Sequence, residues 1–170
     1  DEKGEKKKRG RGSQKQSTVL VMASTVHDFK SKKKYSKPTK FRYVRMLVMD
    51  NLKSETVGQK VKENISEESV VKTDNYTSYT RIKDHVWCHI PRKVKPEDAG
   101  KILPWVHTMI ANAKRTMLGV HHMVSKKYAQ NYLDEFCYKV NRRYFGEQLF
   151  DRLIVACVTI NYKDIVTHNR

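Results

Sequence analysis

The stretch FRYVRMLVMD, from Phe41 to Asp50, decides the fold because its pattern changes along its length. Side chains alternate from Phe41 to Met46 and then become fully apolar, which is typical of a β-strand that enters a sheet covered on both faces. A second β-branched and apolar run, STVLVMASTV from Ser17 to Val26, precedes it across a polar break. The simplest structure predicted from these two runs is a pair of adjacent strands.

A one-sided helix is predicted to follow in KSETVGQKVKENI, from Lys53 to Ile65. Val57, Val61 and Ile65 recur at helical spacing, and Ser54 is a suitable N-cap.

Two short strands come next. SVVKTDNYTSY, residues 69–79, indicates a strand that reaches Asp74, with a helical turn over residues 76–82 behind it. HVWCHIP, residues 85–91, indicates a strand ended by its proline.

From Ile102 onward the pattern is helical. SKKYAQNYLDEFCYKVNRRYF, Ser125 to Phe145, repeats its apolar residues at spacings of three and four, and a second amphipathic run follows Gly146. Strands early and helices late indicate a mixed α/β domain. A chain of 170 residues is long enough for one sizeable core, so we expect a single domain over residues 1–170.

The charge of the chain indicates its partner. There are 35 Lys and Arg residues against 18 Asp and Glu residues, a formal net charge of +17, so the chain attracts polyanions and nucleic acid is the leading partner class. Residues 3–16 combine Gly with a basic run and are expected to form a flexible basic loop that folds against phosphates, although a solvated basic turn without such a role is the alternative. The predicted phosphate contacts in this loop are Lys6, Lys7, Lys8, Arg9 and Arg11.

Two further patterns concern the environment of the chain. It has neither a run of about 18 apolar residues nor a signal-peptide pattern, so it is expected to be soluble, not secreted and without a membrane partner. Cys88, Cys137 and Cys157 are widely spaced and form no C-x-x-C pair. We expect them to be reduced and at least two of them to be buried.

Asp74 is a candidate functional residue because it ends a short apolar strand just before a turn. Ligands and metals bind at that edge of open α/β sheets, where loops carry polar groups and strands hold them rigidly. The alternative is a turn aspartate that caps its own backbone, since Thr-Asp-Asn is good turn chemistry. Asp50 also ends a strand and competes with Asp1 and Asp74 for a metal-site role.

His107 and Lys114 are candidates in LPWVHTMIANAKR, Leu103 to Arg115. Steps of about 100° per residue place the two side chains within about 20° of each other, at the border of an apolar helix face. That face is formed by Val106, Met109, Ile110, Ala113 and Met117. A border histidine is more often a structural residue than a ligand, so both interpretations stay open here.

Several blocks together resemble the catalytic domain of the DDE-type transposases encoded by bacterial insertion sequences. The resemblance covers most of the chain and is carried, in order, by DE, KRGRGSQKQ, VVKTDNYTSY, LPWVHTMIANAKR, GVHHMVSKKYAQNYLDEFCYKVNRRYF and LFDRLIVACV. It implies an RNase H-like fold, with a mixed sheet, flanking helices and a helical C-terminal part. Because the chain begins at the first aspartate, we expect the first strand to be truncated and the upstream DNA-recognition domain to be absent.

The resemblance also implies the active site. Asp1 and Asp74 would be the two carboxylates, His107 would take the third position in the branch that uses Asn or His there, and Lys114 would be the basic residue seven positions on. Asp1, Asp74 and His107 would hold Mg²⁺ or Mn²⁺, since oxygen ligands suit both ions. Lys114 and Arg115 would contact DNA phosphates.

The implied activity is metal-dependent cleavage and transfer of DNA strands during transposition of an insertion sequence. The protein would be cytoplasmic and nucleoid-associated, and it would act as a homo-oligomer on element ends and target DNA. The alternative is a catalytically inactive basic domain, either a decayed transposase or a ribosomal-type protein, whose binding to nucleic acid falls steeply with salt.

Overall fold

The computed structural model of the chain describes residues 17–27, 39–93, 99–121 and 124–159. Its strands are β1 (Thr18–His27), β2 (Thr39–Met49), β3 (Val70–Asp74) and β4 (Cys88–Arg92). Its α-helices are α1 (Ser54–Asn64), α2 (Ala99–Ile102), α3 (Pro104–Thr116), α4 (Ala129–Arg142) and α5 (Gln148–Thr159). A long 3₁₀ helix (Thr77–Asp84) lies between β3 and β4, a π-helical turn (Met117–His121) follows α3, and single 3₁₀ turns (Lys126–Tyr128 and Arg143–Phe145) flank α4.

β1 and β2 pair in antiparallel fashion, as predicted, from Thr18 opposite Met49 to His27 opposite Thr39. The register shifts where Ser24 faces Tyr43 and Thr25 faces Phe41, which leaves Arg42 as an extra residue in β2. A bulge of this kind changes the side to which following residues point. Phe41 and Val44 are therefore both buried although strict alternation would separate them.

The hairpin is covered on both faces, which confirms the prediction from the fully apolar end of β2. Phe41, Val44 and Met46 pack with α3 and α4, whereas Leu20 and Met49 pack with α1 and the 3₁₀ helix. Neighbouring residues of a strand point to opposite faces, so the two clusters lie on opposite sides of the hairpin. The result is a three-layer α/β/α arrangement with flanking helices, and the mixed α/β class is confirmed.

The outer edge of β2 is covered by two side-chain amides from α4. Asn141 Oδ1 accepts a hydrogen bond from the Val44 N–H at 2.8 Å, and Asn141 Nδ2 donates to the Val44 carbonyl at 2.9 Å. Gln130 Oε1 accepts from the Val48 N–H at 2.8 Å, and Gln130 Nε2 donates to the Met46 carbonyl at 3.0 Å. Each amide pairs with backbone groups of the kind that a neighbouring strand would otherwise bond.

β3 and β4 form a second, parallel pair, from Val70 opposite Cys88 to Asp74 opposite Arg92. The sequence predicted one mixed sheet, but the described strands form two separate two-stranded sheets. Among the described residues, no strand pairs with both sheets, so they are not joined by backbone hydrogen bonds. Val71 of β3 nevertheless packs against the same cluster as α1, so the two sheets share one core.

Three local predictions were wrong, and one helix that was predicted correctly is exposed. Ser54 is the first residue of α1 and not its N-cap, which is Lys53, and the Lys53 N–H bonds to Asn51 Oδ1 at 3.0 Å instead. β4 continues through Pro91 to Arg92. Only Cys137 is buried, whereas Cys88 is half-buried and Cys157 is exposed on α5. The amphipathic run after Gly146 is indeed helical, but α5 buries none of its residues.

Within the described ranges, no helix is long and apolar enough to cross a membrane.

Candidate active site

Asp74 is the last residue of β3 and its side chain is exposed. The neighbouring residue Thr73 is buried, and its Oγ1 lies 2.9 Å from Nε2 of His89 on β4. In the parallel register Asp74 stands opposite Arg92. The strand end is thus fixed by a buried neighbour, while the carboxylate points to solvent, as a ligand-binding carboxylate requires.

The 3₁₀ helix after Asp74 is anchored in the core. Ile82 is only 2% exposed and packs against the fully buried Val57 of α1. The Ser78 hydroxyl donates a hydrogen bond to the Leu52 carbonyl. Burial, and to a smaller extent the negative charge of Asp74, raises the pKa of Tyr79. Asp74 therefore sits beside a firmly packed segment and does not belong to a loose loop.

Burial also acts on the histidine that holds the strand end. The pKa of His89 is lowered from its ordinary value because a partly buried imidazolium is poorly solvated. A neutral ring can accept the Thr73 hydroxyl proton at Nε2 or donate to its oxygen, depending on the tautomer. Sequence inspection passed over His89, because only the register of β3 and β4 places it on the same face as Thr73.

α3 carries His107 and Lys114 as the helical spacing predicted. Both side chains are exposed, while Met109 and Ala113 are buried against the hairpin. Trp105 fixes the start of the helix, because its Nε1–H donates to the Thr39 carbonyl at 2.8 Å. His107 is therefore not a packed core residue. It stands in water on the same edge of α3 as Lys114.

The predicted ligand residues are not gathered into a complete metal site by the described residues. Asp1 and the basic residues of loop 3–16 lie outside the described part of the chain. In the part that is described, no three His, Cys, Asp or Glu side chains form a group that would hold a metal ion. Asp74 and His107 are thus two exposed candidates without a third described ligand, and Asp50, exposed after β2, is not joined to them in such a group.

Exposed basic side chains lie on the same elements as the candidate residues or on a paired strand. Lys114 and Arg115 are exposed on α3, as a role at DNA phosphates requires. Near Asp74, Lys72 lies on the same side of β3 by alternation, and Arg92 lies opposite it in β4; both are exposed. Sequence inspection missed these two cations. Lys72 had a signal in the sequence, since it precedes Asp74 by two residues in a strand, whereas Arg92 is placed near Asp74 only by the strand register.

The described part of the chain thus presents a carboxylate at an exposed strand end, a helix edge with His107 and Lys114, and several exposed basic side chains. The family model of the ISXO2-like transposase domain matches residues 1–141, and the chain belongs to this family. The match includes Asp1, Asp74, His107 and Lys114 and ends within α4, so α5 lies beyond it. The predicted resemblance to insertion-sequence transposases is confirmed at this level. No curated protein and no solved structure matches the chain.

Proposed function

We propose that this chain is the catalytic domain of a DDE-type transposase, which cleaves DNA at the ends of an insertion sequence and joins the 3′ ends to target DNA. The family match over residues 1–141 carries the proposal. The exposure of Asp74, His107 and Lys114 is compatible with it, because residues that act on DNA must be reachable by a polymer. The use of His at the third position is part of this proposal.

An RNase H-like fold is also part of the proposal. An antiparallel hairpin, a helix and then a parallel strand pair follow one another in the described chain. Both strand pairs contribute to the core around α1, which supports their membership of one larger sheet. In that arrangement a further strand leading into Asp1 would lie between β1 and β3 and bring Asp1 next to Asp74.

The roles follow from the chemistry of the side chains. Asp1 and Asp74 offer hard carboxylate oxygens, which fit Mg²⁺ or Mn²⁺, whereas the imidazole of His107 fits Mn²⁺ better. When bound between these residues, the cations would stabilise the charge that develops at the phosphodiester during attack by water or a 3′-hydroxyl. His107 would alternatively hydrogen-bond a phosphate oxygen. Lys114 places a compact cation on the same helix edge, where it would hold the phosphate near the reacting bond.

The remaining expectations are proposals of the same kind. The net charge of +17 supports DNA as the partner. A homo-oligomer on paired element ends, and a cytoplasmic, nucleoid-associated location, follow from the proposed activity. The family match does not favour the alternative of an inactive nucleic-acid-binding domain.

The proposal is tested with Asp74→Asn in the complete protein. The substitution keeps the size of the side chain and removes the charge that would hold a cation. Cleavage and strand joining in Mg²⁺ or Mn²⁺ should fall by at least about 100-fold, as expected when a ligand of a catalytic metal is lost. Binding to DNA and the thermal unfolding midpoint should stay unchanged.

Asp84→Asn is the matched control, because Asp84 is also exposed and ends the 3₁₀ helix on the same segment. It should cleave as the unmodified protein does. Full cleavage activity of Asp74→Asn would refute the assignment of Asp74 as a metal ligand. If the unmodified protein binds DNA but shows no metal-dependent cleavage, the inactive alternative is established.

A further inference from the structure

A small cavity opens immediately after Asp74, between the 3₁₀ helix and β4. Its volume is about 220 Å³, and its walls include Asn75, Tyr76, Tyr79, Lys83 and His89. Pockets for drug-sized ligands begin at about 300 Å³, so this cavity suits a single ring system. Asn75 lines it and directly follows Asp74, so the cavity lies just beyond the end of β3.

Aromatic rings form much of the wall. The rings of Tyr76 and Tyr79 stand nearly edge to face, with centroids 6.2 Å apart and an interplanar angle of 74°. Tyr79 packs against the core around α1, so this part of the wall is preformed. His89 is held by Thr73 and adds a third flat ring. Flat, partly apolar walls of this kind favour a planar aromatic ligand.

The charge at the opening indicates what is attached to that ring. Lys83 is exposed and lines the cavity, and no carboxylate is among the described residues that line it. The amide of Asn75 supplies both a donor and an acceptor for the edge of a ring. A planar ring that carries a nearby negative charge matches this set, and a nucleotide has both.

We propose that this cavity receives one unpaired nucleobase of the bound DNA strand, with Tyr76 and Tyr79 against the base and Lys83 at a neighbouring phosphate. The inference rests on the proposed function, because the strand in question is the one held at Asp74. A base within a duplex cannot enter, since it must first leave its stack. The cavity therefore selects DNA that is single-stranded or locally opened beside the reacting phosphate.

The test compares two strands of equal length and charge, oligothymidine and a fully abasic strand, by fluorescence anisotropy. Tyr76→Leu removes the ring but keeps an apolar side chain. Loss of one stacked base should weaken binding of oligothymidine by at least about fivefold. Binding of the abasic strand should not change, and Tyr76→Phe should bind both strands as the unmodified protein does.

Tyr128→Leu is the matched control, because Tyr128 is an exposed tyrosine beside Lys127 on a different part of the chain. It should not distinguish the two strands. Lys83→Gln should weaken the binding of both strands equally. It should also make the slope of log K against log salt concentration less steep by about one. Equal losses on both strands in Tyr76→Leu, or no loss, would overturn the inference.

The position of the bound base is determined independently by photocrosslinking. A strand that carries 5-iodouracil should crosslink to Tyr76 or Tyr79, and adducts found only elsewhere would contradict the pocket. Thymidine monophosphate that bound as tightly as the strand would assign the cavity to free nucleotides and overturn the DNA assignment. All binding is measured on Asp74→Asn protein, which does not need to cleave DNA. The binding result can therefore be interpreted even if the catalytic proposal fails.

Discussion

Thr73 Oγ1 lies 2.9 Å from Nε2 of His89, and this contact ties the strand that ends at Asp74 to its parallel neighbour. Thr73 is buried, and the His89 ring is partly buried beside it. The exposed carboxylate of Asp74 thus stands directly next to a fixed point. Because catalytic geometry tolerates little displacement, such a support one residue away from a ligand is expected to matter for activity.

The first prediction is a pH dependence of stability through His89. Burial lowers the pKa of His89 in the folded chain below its ordinary value of 6.5. The unfolded chain therefore binds more protons than the folded chain below about pH 6.5, and the free energy of unfolding should decrease as the pH falls through that region. Denaturant unfolding followed from pH 8 to pH 5 measures the change.

His89→Gln is the control for this prediction, because glutamine can bond the Thr73 hydroxyl but does not titrate. Its free energy of unfolding should vary less between pH 7 and pH 5 than that of the unmodified chain. The attribution to His89 fails if both proteins show the same slope over this range.

The second prediction concerns the amide of Asn141, which bonds both backbone groups of Val44. Asn141→Ala leaves a partly buried N–H and carbonyl without these partners, so the free energy of unfolding should fall by about 1–3 kcal/mol. Asn131→Ala, at an exposed position of the same helix, should change it by less than about 0.5 kcal/mol. Similar losses in the two variants would show that the Val44 contact contributes little.

Local patterns account for most elements that the sequence predicted. The spacing of Met109 and Ala113 follows from the helical period alone, and the apolar end of β2 follows from burial on both faces. Contacts between distant segments leave no such pattern. Asn141 and Val44 are 97 residues apart, and a polar residue in an amphipathic helix gives no sign of its partner. The bulge at Arg42 depends on the register of two strands and was equally invisible.

The candidate site was predicted only in part for the same reason. Helical geometry placed His107 and Lys114 on one edge, and a strand end placed Asp74 in the open, both as observed. Their assignment to one active site came from the resemblance to a family and not from spacing. Lys72 was missed although it precedes Asp74 by two residues in the same strand, whereas Arg92 was missed because only the strand register places it opposite the carboxylate.

The third prediction concerns His107. His107→Ala should reduce cleavage less steeply than Asp74→Asn if the imidazole positions water or phosphate. His107→Glu would supply a carboxylate and should raise the ratio of Mg²⁺- to Mn²⁺-supported cleavage, because Mg²⁺ prefers oxygen ligands. Initial rates in the two ions measure this ratio. If His107→Ala retains full cleavage activity, His107 has no catalytic role and is only an exposed or structural residue.

The fourth prediction concerns the exposed cations of α3. Lys114→Ala should make the slope of log K against log salt concentration less steep by about one, which corresponds to the loss of one phosphate contact. It should weaken binding to all DNA sequences alike. Arg115→Ala should do the same if it also meets a phosphate. Lys101→Ala, at an exposed lysine of α2, is the control. Slopes that are identical in all three variants would remove α3 from the DNA-binding surface.

The amides of Asn141 and Gln130 have a consequence for how this sheet extends. Exposed strand edges recruit further strands, including those of other molecules. At the outer edge of β2, side chains of α4 already bond backbone groups from Val44 to Val48. This edge is therefore protected against the addition of another strand. Within the described residues no second strand pairs with β1, so an additional strand would join at β1, the side on which the strand before Asp1 is proposed to lie.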